Sequence, residues 1–84
     1  MVVRIALILL DNRKKNSIAV QKILTEWGCL IKTRLGIHPG TLEECTDNGL
    51  IFLELVGEKE KHEELVRKLN LLDGVTAKLI ELSV

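Results

Sequence analysis

With 84 residues and a mass of 9.4 kDa, the chain has room for one small domain, 1–84. Its 46% apolar and 29% charged residues exclude intrinsic disorder. Twelve Lys and Arg balance twelve Asp and Glu, which argues against general nucleic-acid binding and against a polybasic membrane anchor. Phe52 and Trp27 are the only aromatic residues, so Leu, Ile and Val must build the core. A chain this short buries only about 60–65% of its unfolded surface, and association with another copy would add to that.

Residues 2–10 are apolar nearly throughout. Val3, Ile5, Leu7 and Leu9 fall on one face and Val2, Arg4, Ala6, Ile8 and Leu10 on the other, which predicts a strand in the middle of a sheet. Arg4 interrupts the run, no small-residue cleavage site follows, and the length is far below the roughly 20 residues of a membrane span. The expectation is a buried strand in a cytoplasmic protein with no membrane contact. Asp11-Asn12 ends the strand and can cap a helix. That helix is predicted over residues 13–27, where Val20, Ile23, Leu24 and Trp27 recur at helical spacing with Ala19 in support. Gly28 is a natural stop.

Residues 29–37 alternate and read as a half-buried strand, broken by His38-Pro39-Gly40. Residues 41–48 are polar and read as a loop. Gly49 opens a strand over 50–56, with Ile51, Leu53 and Leu55 on one side and Leu50, Phe52, Glu54 and Val56 on the other. A second helix follows Gly57, with Leu65, Val66, Leu69 and Leu72 on one stripe and Glu63–Arg67 and Glu64–Lys68 as i,i+4 pairs. Asp73-Gly74 ends it. A last strand over 75–82 sets Val75, Ala77 and Leu79 against Thr76, Lys78, Ile80 and Leu82.

The order β-α-β-β-α-β predicts an α+β, ferredoxin-like sandwich: a four-stranded antiparallel sheet with two helices on one face. Odd-numbered strand positions collect the purest apolar set and are assigned to the helix-covered face. The even face then holds Arg4, Lys32, Arg34, Glu54 and Lys78 among Ala6, Ile8, Leu50, Phe52 and Ile80. A sheet face that apolar should not stay wet, so a homodimer or larger assembly is expected, with Ile8, Arg34, Phe52 and Ile80 as interface candidates. Residues 1–42 carry a balance of +5 and residues 43–84 one of −5. That pattern suits a basic first helix lying beside an acidic second one, or head-to-tail attraction between subunits.

No Ser/His/Asp or Cys/His constellation and no isolated carboxylate pair stands out, so the chain reads as non-enzymatic and without a cofactor. Cys29 and Cys45 form no C-x-x-C pair and read as reduced thiols. His38 and Cys45 are weak metal-ligand candidates at irregular spacing, and no metal is expected. His62 reads as solvated. The first loop is the best small-molecule candidate: Asp11, Asn12, Arg13 and Lys14, with Lys15, place positive charge at a helix N-terminus, where a small anionic effector or an acidic protein partner would be attracted.

The first strand, the Asp11-Asn12-Arg13 turn and a helix ending in Trp27-Gly28 before Cys29-Leu30-Ile31 resemble an ACT domain, a small ligand-sensing regulatory module; the usual glycine of its first loop is missing. Three further segments carry a more specific likeness: Arg34-Leu35-Gly36-Ile37-His38-Pro39, Asn48-Gly49-Leu50-Ile51-Phe52-Leu53, and Leu69-x-x-Leu72-Asp73-Gly74-Val75-x-x-Lys78. With them the chain resembles the stand-alone regulators of the iron-only hydrogenase system. That family is similar to the C-terminal ligand-binding domain of the nickel-responsive repressor. The resemblance implies an oligomeric regulatory module that binds a ligand or a partner. The repressor's clustered histidines and its ribbon-helix-helix segment have no counterpart here, which implies that DNA is not read by that route. The alternatives are a metal-binding sensor and a plain assembly subunit without a small ligand.

Overall fold

The first strand, β1 (Val2–Leu10), is apolar on both faces and takes an inner position in the sheet. The computed structural model describes residues 1–11, 14–37 and 49–84, without the side chains of Lys14, Lys15 and Ile37. Within it β1 is followed by α1 (Lys14–Glu26), a single 3₁₀ turn (Gly28–Leu30), β2 (Ile31–Ile37), β3 (Gly49–Leu55), α2 (Lys59–Asn70) and β4 (Val75–Ser83). The sheet order is β2-β3-β1-β4 with every neighbouring pair antiparallel. This is the ferredoxin-like α+β fold expected from the order of elements. Cys29 and Leu30, expected at the start of the second strand, lie in the 3₁₀ turn instead.

Both helices cover one face. Val20 and Leu24 of α1 and Leu65 and Leu69 of α2 close over Ala6, Ile8 and Leu10, Ile51, Leu53 and Leu55, and Val75 and Ala77. The helical stripes are those that the 3.6-residue period marks out. The α2 termini suit its dipole, with Glu60 in the first turn and Arg67 and Lys68 in the last. Glu64 pairs with Arg67 at 2.7 Å, not with Lys68; the hydrogen-bonded guanidinium holds the Glu64 carboxyl below its ordinary value. Lys68 also stands 5.9 Å over the Trp27 ring, joining the helices by a cation–π contact.

The assignment of faces is corrected on two strands. Odd positions lie under the helices in β3 and β4, but in β1 the even positions do. Residues paired across an antiparallel ladder share a face, and Ala6 pairs with Leu53 on one side and Leu79 on the other. The odd rows of β3 and β4 therefore take the even row of β1 into the core. Ile8, expected as an interface residue, is 0% exposed beneath the helices. On β2 a bulge between Ile31 and Thr33 shifts the phase. Ile31 packs on the core, whereas Arg34 and Gly36 pair with the inward Leu53 and Ile51. Arg34, the other displaced interface candidate, thus lies on the helix side, where its guanidinium donates to the Gln21 side chain of α1.

Two polar knots hold the ends of the sheet. In the first, the Asp11 amide donates to the Gly74 carbonyl at 2.9 Å, and Asn16 Nδ2 donates to Asp11 Oδ1 at 2.8 Å. Gly74 takes φ +77°, and a Cβ there would sit 2.3 Å from Asp11 Oδ2. In the second, the Val56 amide donates to the Leu30 carbonyl at 2.8 Å, and the Val56 carbonyl lies 2.7 Å from His62 Nε2. A carbonyl only accepts, so His62 carries its proton on Nε2. His62 is 1% exposed and not solvated as expected; its Nδ1 is buried and unpartnered.

Replacing Gly74 with Ala should destabilise the chain by roughly 1–3 kcal/mol through strain and the clash with Asp11, lowering the urea midpoint at unchanged slope. His62→Leu should remove the donor to the Val56 carbonyl and cost about 0.5–1.5 kcal/mol in the same measurement.

Candidate functional site: the open face of the sheet

Cross-strand pairing places the outward side chains in rows. Leu35, Phe52, Leu7 and Lys78 stand in one row across β2, β3, β1 and β4. Leu50, Leu9 and Thr76 form the next row toward the Asp11 end. Thr33, Glu54, Ile5 and Ile80 form the row on the other side, beyond which lie Val3 and Leu82. Neither of the described helices covers this face. Leu9 is 56% exposed, Leu35 54%, Leu82 57% and Ile80 36%. Phe52 is half-buried among its neighbours.

The face is uneven. Mainly over β1 and β4, with Leu50 of β3 at its side, it dips into a hollow of about 180 Å³ lined by Leu7, Leu9, Leu50, Thr76, Lys78 and Ile80. Over β2 and β3 stand Leu35 and Phe52, which do not line the hollow. The charged groups are few. Glu54 accepts a hydrogen bond from the Thr33 hydroxyl at 3.3 Å and faces Lys32 Nζ at 3.7 Å. Among the described residues no carboxylate pairs with Lys78. Exposed apolar patches beyond a few hundred Å² mark sites of interaction, and this face is more apolar than the mixed one expected. Its corrected membership, with Ile5, Leu7, Leu9 and Leu35 in place of Ala6, Ile8 and Arg34, follows from the β1 register and the β2 bulge.

A second concavity, of about 370 Å³, lies at the end of the sheet where Arg4, Lys32, Glu54 and His62 line its wall. Its charges are already matched: Arg4 Nε donates to Glu81 at 2.8 Å, and Lys32 faces Glu54. The inward turn of His62 was readable, because position 62 precedes Leu65 and Leu69 on the same helical stripe.

Of the first-loop candidates, Asp11 is placed at the end of β1 and held by Asn16 and the Gly74 carbonyl. Asn12 and Arg13 lie outside the described residues, as do the side chains of Lys14 and Lys15, and as do His38 and Cys45. Cys29 is exposed. Among the described residues no three His, Cys, Asp or Glu side chains converge to hold a metal ion, and no helix is long and apolar enough to cross a membrane.

No protein-family model and no curated protein matches the chain. Among solved structures it is similar to an uncharacterized protein from Thermotoga maritima, at 26% identity over 96% of both chains with a TM-score of 0.83. An amidase of the hydantoinase/carbamoylase family from Burkholderia phymatum matches at 13% identity and a TM-score of 0.47. The chain spans only 28% of that enzyme, and the likeness carries no functional argument. The Thermotoga protein shares the whole βαββαβ fold described above.

Proposed function

We propose that the chain is a non-enzymatic regulatory module that acts as an assembly of copies of itself, in the manner of the regulators of the iron-only hydrogenase system that its motifs resemble. The observation that supports this reading best is the open sheet face. A folded chain of this size leaving Leu9, Leu35, Ile80 and Leu82 uncovered on one surface loses about 25 cal/mol for each Å² of apolar area kept wet, and self-association removes that loss. The first loop is the input of the module in this reading. It leaves β1 at Asp11, two residues beyond Leu9 in the wall of the hollow. A small anion or an acidic partner surface drawn to Asn12, Arg13 and Lys14 would therefore act next to the assembly surface and bias it. The setting is the cytoplasm.

Sedimentation at micromolar concentration should show a dimer or larger species; a 9.4 kDa monomer alone would overturn the reading. Phe52→Glu should shift the equilibrium toward monomer by about 2 kcal/mol or more, roughly 30-fold in the dissociation constant, while the chain stays folded. Ile8→Glu should instead unfold it, because it buries an unpaired charge in the core. Circular dichroism beside sedimentation separates the two. The hydrogenase link is tested by deleting the gene in its own organism: unchanged iron-only hydrogenase activity and expression would remove it.

A further inference from the structure

We infer that the partner on the open face is a second copy of the same chain, stacked face to face about a two-fold axis that runs along the strands, with Leu35 and Phe52 of each copy set over the hollow of the other. This rests on the assembly reading and specifies its geometry.

Both edges of the sheet carry features that oppose the addition of another strand. On the outer edge of β4 the Asn70 amide takes both backbone groups of Ala77, donating Nδ2 to its carbonyl at 2.9 Å and accepting its N–H at 2.8 Å. That removes a rung which an added strand would need. On the outer edge of β2 the bulge between Ile31 and Thr33 breaks the ladder, and the neighbouring positions are Lys32 and Arg34. Bulges and charges are the devices that block edge pairing. The face, in contrast, is mostly apolar, with Lys78 and the Glu54–Lys32 pair as its charged groups among the described residues.

Its size suits a dimer. Four strands about 4.8 Å apart and about eight residues long give a footprint of roughly 500 Å² in projection. Corrugation by side chains raises the accessible area toward the roughly 800 Å² per partner of a standard interface.

Its relief sets the axis. In a two-fold contact each surface point meets its own exchange partner, and any two points on a face are exchanged by one in-plane axis through their midpoint. Leu35 and Phe52 lie on β2 and β3, whereas five of the six residues that line the hollow lie on β1 and β4, so the midpoint between the two falls near the midline of the sheet, between β3 and β1. An axis along that midline overlays the two faces fully, with the strands near the aligned angle of packed sheets. Leu35, Phe52, Leu7 and Lys78 share one row. Leu35 then faces the partner's Lys78, and Phe52 faces the partner's Leu7.

The test uses full-length chains with Cys29→Ser and Cys45→Ser, one carrying Leu35→Cys and the other Lys78→Cys, mixed and treated with a bismaleimide spanning about 10 Å, the separation of packed sheets. A covalent species of twice the chain mass should form in the mixture and in neither protein alone, because like positions lie about 14 Å apart across the sheet in addition to that separation. Loss of the dimeric mass in the mixture, while the parent chain stays dimeric, would also place these residues in the contact. A dimer by sedimentation with no mixed cross-link, or with a link in the Leu35→Cys protein alone, would overturn this geometry and leave the assembly reading standing. A parent chain that is monomeric throughout would remove both.

Discussion

The antiparallel pairing of Ala6 with Leu53 and Leu79 is the constraint on which the rest of the structure depends. It decides which row of β1 enters the core. Once Ala6, Ile8 and Leu10 go under the helices, Val3, Ile5, Leu7 and Leu9 must face the other way, because successive strand residues alternate. A one-residue slip would reverse every side chain of the strand. The small Ala6 side chain, 0% exposed at the centre of the sheet, leaves space for the larger Ile8, Leu24, Leu53, Leu65 and Leu69 to interdigitate there.

That register has a cost and a use. The core beneath the helices becomes dense and apolar, while an equally aliphatic row is left on the outside. The polar devices of the fold lie elsewhere: Asn70 on the β4 edge, the bulge on β2, and Arg4 with Glu81 at the far end. Protection is thus concentrated on the edges, where uncontrolled pairing leads to aggregation. The open face has relief and few charges, which suits a defined partner.

The two polar knots tie this arrangement to the loops. Asp11, Asn16 and Gly74 join the exit of β1 to the entry of β4, beside the end of the hollow formed by Leu9 and Thr76. Leu30, Val56 and His62 join the start of β2, the end of β3 and the first turn of α2. Each knot pairs backbone groups at the ends of strands, where the ladder itself no longer supplies a partner.

The sequence by itself determined the number, kind and order of the elements and the helical stripes. Period, β-branched runs and the Gly28, Gly57 and Gly74 breaks are local properties that need no knowledge of neighbours. It also marked one sheet face as too apolar for water. Which residues make up that face was decided only in the tertiary structure. β1 is apolar on both sides, so alternation carries no preference there, and Ile8 could be assigned only through its partners on β3 and β4. Arg34 was displaced by a bulge that inserts a single residue and leaves no local signature. His62 lay on the α2 stripe all along, yet the carbonyl that makes its burial tolerable belongs to Val56, at the end of another element. Pairing register and hydrogen-bond partners are relations between distant segments, and they exist only once the chain has folded.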